Sequence, residues 1–317
     1  MPILPATPEH LPAILRLRNS AVTRLEQFGP EDLPDLVQRS VCEIGMNESG
    51  SGRLWGFTAI QLEPRPATLP ASAPNRAYLR GVLLAKGRSP SMDTAALVNA
   101  SLGRMRALGQ STTGSTAGST TGSTTGSTTG STTVIAQGQE TWLRAALVPF
   151  AFTEIDQVRY YKFTANSVPS APSLARLTEV TPHDLPRLAQ LDADTFPPIW
   201  HMDEGDLAGL LFTSHMRVAW DGDRPVGYAA LSLNGGFDQE TRQRAAFLNR
   251  LAVHPSAQGL GVGRQLLADS IAHAHSQNHS PIYLNTQVSN TQSQRLYEGM
   301  GFRPSGQLFR VFTAQVP

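Results

Sequence analysis

Hydrophobic positions along the chain follow two periods. Short apolar runs stand at 78–84, 217–220, 225–231, 247–253 and 282–286. Turn signals such as Asp221-Gly-Asp223 and His254-Pro255 end several of them, as expected for buried strands and a hairpin. Between them lie stretches with apolar residues three and four apart. One carries Leu11, Ile14, Leu15 and Leu17, a second Leu185, Leu188 and Leu191, and a third Val262, Leu266, Leu267, Ile271 and Ala274. The first two open on Thr7-Pro8 and Thr181-Pro182, the pairing of an N-cap threonine with proline at the first helical position.

Those two openings are copies of one pattern. Thr7, Pro8, Leu11, Pro12 and Leu17 recur as Thr181, Pro182, Leu185, Pro186 and Leu191 at a constant offset of 174. Residues Gln110 to Thr133 are a Ser-Thr-Thr-Gly repeat without a side chain large enough to build a core, which predicts a disordered insertion in a surface loop. Beyond that insertion the offset drops to 150, and Ala151-Phe152 falls on Gly301-Phe302. The expectation is two copies of one fold: 1–164 with the insertion at 110–133, a Pro/Ser-rich linker at 165–174, and 175–317.

The chemistry concentrates in the second copy. Gln258-Gly-Leu-Gly-Val-Gly263 lies between a predicted strand and a predicted helix. A glycine-rich turn into a helix leaves backbone N–H groups unpaired and pointing one way, which suits a phosphate or pyrophosphate. No Lys-Ser/Thr follows Gly263, so the nucleoside-triphosphate loop fails; the dinucleotide fingerprint fails on glycine spacing and on its missing acidic partner. After the helix come Ile282–Thr286 and then Asn290-Thr-Gln-Ser-Gln-Arg-Leu-Tyr297 with Gly301-Phe302.

This ordered set resembles the GNAT superfamily of acetyl-CoA-dependent N-acetyltransferases, through Gln258, Gly261 and Gly263 and through Asn290, Leu296, Tyr297, Gly301 and Phe302, with Ser293 in a small-residue place. The resemblance implies an α/β (α+β) fold: two tandem domains, each a mixed, mostly antiparallel twisted sheet with helices on both faces. It implies a bulged signature strand that parts from the strand at Ile282 and opens a slot for pantetheine. Leu251, Ala252 and Val253 would line the slot. Gln258, Gly259, Leu260, Gly261, Val262, Gly263 and Arg264 would wrap the pyrophosphate, and Asn290 would contact the cofactor while capping its helix. Tyr297 is the implied general acid for the departing thiolate. The co-substrate would be acetyl-CoA, with no metal, and the partner a small-molecule or peptide amine.

Two departures bear on activity. The strand place that often carries a glutamate in this family is Phe247, with Asn249 two residues on, and neither accepts a proton at neutral pH. A base from elsewhere, such as His201, Asp203 or Glu204, or water, would then serve. An α-amine needs it less than a lysine amine does. The missing carboxylate keeps open a non-catalytic acyl-CoA sensor; a peptide N-terminal acetyltransferase is a further alternative. The first copy has Lys86-Gly-Arg-Ser-Pro-Ser-Met92 where the glycine turn should be, and reads as a degenerate copy that has lost acetyl-CoA binding.

Composition narrows the classes. Lys+Arg 26 against Asp+Glu 25 suggests no nucleic-acid surface, and the one cysteine, Cys42, excludes an internal disulfide framework. No signal-peptide pattern and no apolar run of membrane-spanning length is present, so the expectation is a cytoplasmic protein away from membranes.

Overall fold

A computed structural model describes residues 1–47, 53–63, 74–111 and 131–317. The chain forms two compact units. One takes in the described residues of 1–155 together with Phe309–Pro317; the other is Asp156–Leu308.

In the first unit the strands are Ile3–Pro5 (β1), Thr23–Glu26 (β2), Val41–Met46 (β3), Leu54–Leu62 (β4), Asn75–Leu84 (β5), Thr132–Gly138 (β6) and the start of Thr153–Phe163 (β7). Helices Leu11–Ser20 (α1), Leu33–Arg39 (α2), Pro90–Ser111 (α3) and Thr141–Leu147 (α4) lie between them. The second unit repeats the series with Arg176–Glu179 (β8), Leu185–Thr195 (α5), Glu204–Thr213 (α6), His215–Asp221 (β9) and Arg224–Ser232 (β10). A two-residue ribbon follows, Phe237–Asp238 (β11) with Gln243–Arg244 (β12). Then come Ala246–Val253 (β13), Val262–Ser276 (α7), Ile282–Gln287 (β14), Thr291–Gly299 (α8) and Arg303–Val316 (β15). The repeat extends to detail: Thr7 and Thr181 each anchor a capping box on a short 3-10 turn before α1 and α5.

Each unit is completed by a strand from the other half of the sequence. In the second unit residues 158–163 of β7 run antiparallel to β14, with Ile282 opposite Phe163. In the first, residues 310–316 of β15 run antiparallel to β6, with Val316 opposite Thr132. Most of the Ser/Thr/Gly insertion lies outside the described residues. Its ends do not: Gln110 and Ser111 close α3, and Thr132 and Thr133 open β6, where β-branched side chains suit a paired strand.

The second unit's sheet has both faces covered, so β10 reads as one buried run from Val226 to Leu231. Alternate residues go to opposite sides. Ala229, Leu231 and Leu248 pack with Leu266, Leu267 and Ile271 of α7. Tyr228, Ala230 and Ala252 pack with Leu185, Leu188 and Ala189 of α5 and Leu207 of α6. The 165–174 segment is tied to α7: the Gln265 carboxamide oxygen accepts from Leu174 N and Ala175 N at 3.0 Å each, and its nitrogen donates to Ala175 O at 2.8 Å. No helix among the described residues is long and apolar enough to cross a membrane.

Candidate active site

The site in the second unit starts from one extra residue. Ala230 faces Arg250 while Leu231 faces Leu248, so Asn249 is bulged out of the β10–β13 ladder. β13 pairs with β14 in parallel only at Ala246–Ile282, Phe247–Tyr283 and Leu248–Leu284; beyond the bulge the two strands part. After Val253 the chain makes a 3-10 turn, Pro255–Ala257, and enters α7 through Gly259 (φ +78°) and Gly261 (φ +93°). Only glycine adopts such φ values without strain. The turn delivers the unpaired N–H groups of the first turn of α7 to the end of the slot.

These elements enclose a cavity of about 570 Å³. Of the residues predicted from sequence, Leu251, Val253, Gln258, Gly259, Gly261, Gly263, Arg264 and Asn290 line it. The Gln258 side chain donates to Val253 O at 2.9 Å, bracing the loop on the strand. Asn290 caps α8, accepting from Ser293 N at 3.1 Å. Ala252 instead faces the α5 core, Val262 is buried in the core at the start of α7, and Leu260 is exposed. Among His201, Asp203 and Glu204, none lines the cavity. The His201 ring meets Phe196 O at 2.7 Å, Asp203 caps α6, and Glu204 is exposed.

Tyr297 does not line the cavity. It is 5% exposed, with its ring centroid 6.1 Å from those of Tyr161 and Phe302. Burial pushes its phenol up to about 12; a hydrogen bond with Ser293 and the Arg250 cation act the other way. Ser293 does line the cavity, so one hydroxyl stands between Tyr297 and the open space.

Two features escaped sequence reading. The first is a buried network on β13. Arg250 donates to Asp192 Oδ2 from Nε at 2.8 Å and to Oδ1 from Nη2 at 2.6 Å; Nη2 also donates to Trp200 O at 2.7 Å. Its guanidinium lies 3.6 Å from the centre of the Phe196 ring. Asp192, fully buried, also accepts from Tyr228 OH at 2.5 Å and Met202 N at 2.8 Å. Burial and the Asp192 carboxylate hold the Tyr228 phenol well above its usual value, so it stays a donor. Phe196, Pro197 and Trp200 form the cavity's far wall, and this network sets their position. The signal lay in two charges at buried positions of apolar elements, Asp192 beside Leu191 and Arg250 beside Leu251. The second is Asp156 on β7, the one carboxylate among the described residues that lines the cavity. It accepts from the Ser289 hydroxyl and from Ser289 N at 3.4 Å.

The first unit repeats the bulge and the parting. Arg80 is bulged between Gly81 and Leu79, and β5 pairs with β6 only from Asn75 to Tyr78. There the gap is filled. β2 pairs with Gly81–Leu84, the residues equivalent to Arg250–Val253, along the free side of β5. Before α3, Asp93 accepts from Ser89 N at 2.7 Å and pairs with Arg88, placing the chain's own carboxylate where an anion would sit.

The acetyltransferase (GNAT) family pattern matches residues 185–302. Residues 185–302, within the second unit, are thus a GNAT-family acetyltransferase domain. An 85-residue segment, 27% of the chain, is 34% identical to a mycothiol acetyltransferase of Geodermatophilus obscurus and spans 27% of that protein. A 90-residue segment, 28% of the chain, is 31% identical to the spermine/spermidine N(1)-acetyltransferase of Bacillus subtilis and spans 59% of it. The matched segments thus cover less than two thirds of these relatives. A solved tandem GNAT protein from the clavulanic acid biosynthesis pathway shares the fold, with TM-score 0.61 at 14% identity, over 100% of this chain and 98% of that one.

Proposed function

We propose that the chain is an N-acetyltransferase that moves an acetyl group from acetyl-CoA to a primary amine at the second unit. One observation carries this: strands β13 and β14 part beside a glycine cradle, and both open into the same cavity. The residues present fit the ligand. Backbone groups of Leu251 and Val253 face the slot for pantetheine. The N–H groups from Gln258 to Arg264 meet the pyrophosphate, with Arg264 adding a cation, and Asn290 stands at the opposite wall.

Acetyl-CoA supplies the thioester; the protein supplies position, charge and a proton. A backbone N–H of the parted strand stabilises the developing oxyanion. Ser293 gives its hydroxyl proton to the departing sulfur as it takes the Tyr297 proton, and the buried Arg250 cation favours the phenolate left behind. The acceptor amine sheds its proton to water before it attacks the thioester. The names of the matched relatives fit amine acetylation in general and do not select the acceptor. The first unit is structural: β2 fills its slot and Asp93 its helix entry.

Calorimetric titration of the full chain with acetyl-CoA should give one site per chain, and CoA thiol release should appear with amines and fall about 10–100-fold in Tyr297→Phe. Two sites would refute the structural role of the first unit. One site without release from a wide amine panel would favour a non-catalytic acyl-CoA sensor, the reading that Phe247 at the usual carboxylate place and the enclosed Tyr297 support.

A further inference from the structure

The second unit holds another cavity, about 670 Å³, on the sheet face turned away from α7 and α8. Three aromatic side chains line it, Tyr160 of β7, Phe247 of β13 and Tyr283 of β14, beside polar ones that include Lys162, Glu240 and Arg303. Tyr160 and Phe247 lie 6.1 Å apart between ring centroids, tilted by 55°. Phe247 and Tyr283 are register partners, while their neighbours Leu248 and Leu284 go to the α7 core. The cavity therefore opens beside the last paired residues of β13 and β14. Asn249, where the strands part, is two residues further, or about 7 Å at the usual strand rise.

The polar groups here are already engaged. Lys162 Nζ lies 2.6 Å from Glu240 and 3.3 Å from Asp238. Asp238 also accepts from the Tyr283 hydroxyl, and from Thr241 N at 2.7 Å and Thr241 Oγ1 at 2.8 Å. Arg303 donates to Phe302 O at 3.2 Å. Among the described residues Glu240 is the only carboxylate on the cavity wall, and Lys162 balances it. A polycation would meet one carboxylate already held by Lys162, and two cations, Lys162 and Arg303. The three rings add flat apolar area, in a space suited to a small molecule.

We propose that this cavity seats the acceptor, a primary amine carried on a flat aromatic or apolar body, with a short tether bringing the nitrogen to the parting of β13 and β14. The proposal rests on the acetyl-transfer reading and sets the chain apart from a polyamine acetyltransferase. Phe247, in the place of a carboxylate, becomes a specificity residue that excludes a charged acceptor body.

The test uses 2-phenylethylamine and spermidine as probes of the full chain. Saturation-transfer NMR and calorimetry without acetyl-CoA should show 2-phenylethylamine bound through its ring. Phe247→Ala and, separately, Tyr160→Ala should each weaken it about tenfold, the effect of losing one apolar wall. With acetyl-CoA present, kcat/KM for 2-phenylethylamine should exceed that for spermidine at least tenfold, and the variants should raise KM while the acetyl-CoA Kd stays unchanged. Preference for spermidine, or variants that leave both Kd and KM for 2-phenylethylamine unchanged, would overturn the proposal. Ring-specific binding that both variants weaken, without any CoA release, would support the seat and count against acetyl transfer.

Discussion

Replacing Arg250 tests whether the charged network sets the cavity's far wall. In Arg250→Ala, Asp192 remains fully buried and keeps only Tyr228 OH and Met202 N as donors. Removing one member of a buried ion pair costs about 3–5 kcal/mol. At about 2–4 °C per kcal/mol for a unit of this size, the unfolding midpoint should fall by about 6–20 °C. The variant also loses the 2.7 Å bond to Trp200 O and the contact with the Phe196 ring, so acetyl-CoA affinity should fall as the wall loosens. The double variant Arg250→Met with Asp192→Leu separates the two effects. An apolar pair of similar volume removes the unpaired carboxylate and should restore part of the stability, less the cost of leaving Tyr228 OH and Met202 N without this acceptor. It cannot hold the Trp200 carbonyl, so affinity should stay low. Denaturant unfolding and acetyl-CoA calorimetry on the three proteins read both quantities. A single variant within about 1 kcal/mol of wild type, a small part of that buried-pair cost, would show that the network does not bear on the wall.

Gly261→Ala forces an L side chain to φ +93° and sets its Cβ 2.9 Å from Leu174 Cδ1 and 3.1 Å from Pro172 Cγ. It should destabilise the chain by about 1–3 kcal/mol and weaken acetyl-CoA by roughly tenfold through the misplaced helix entry; calorimetry checks the second effect. Cys42, buried in the first unit, has its thiol pushed up to about 12, mainly by burial. A thiol probe at pH 8 should label it only on unfolding. Cys42 and Tyr297 both have folded values above their unfolded ones, so their contribution is intact below about pH 9 and is lost as pH rises toward 12, at up to about 1.4 kcal/mol per pH unit for each group. Stability that rises across that interval in denaturant titrations would contradict both assignments.

Much of the cavity was legible because its residues are constrained locally. Gly259 and Gly261 are set by φ, Asn290 by its capping role, and Val262, Leu266 and Ile271 by helical period. The Thr-Pro openings disclosed the repeat because an N-cap is a property of four consecutive residues. What was not legible depends on partners far apart in sequence. Arg250 and Asp192 look like two unrelated polar residues until β13 and α5 stack. Asp156 reaches the cavity only because β7 pairs with β14. The enclosure of Tyr297 follows from Tyr161 and Phe302 closing over it, a tertiary effect that the period of α8 does not encode. The filling of the first unit's gap by β2 was equally hidden, since Thr23–Glu26 carries no strong strand pattern.

The exchange of last strands bears on how this protein is dissected. A cut at 165–174 seems natural from composition, yet the C-terminal piece would lack residues 156–163 and leave the backbone of β14 bare along one side. The N-terminal piece would lack 309–317 and bare β6 in the same way. Unpaired edges of that length invite intermolecular pairing and precipitation. Severed fragments should therefore be insoluble alone and recover when co-expressed, each lending the other its missing ribbon.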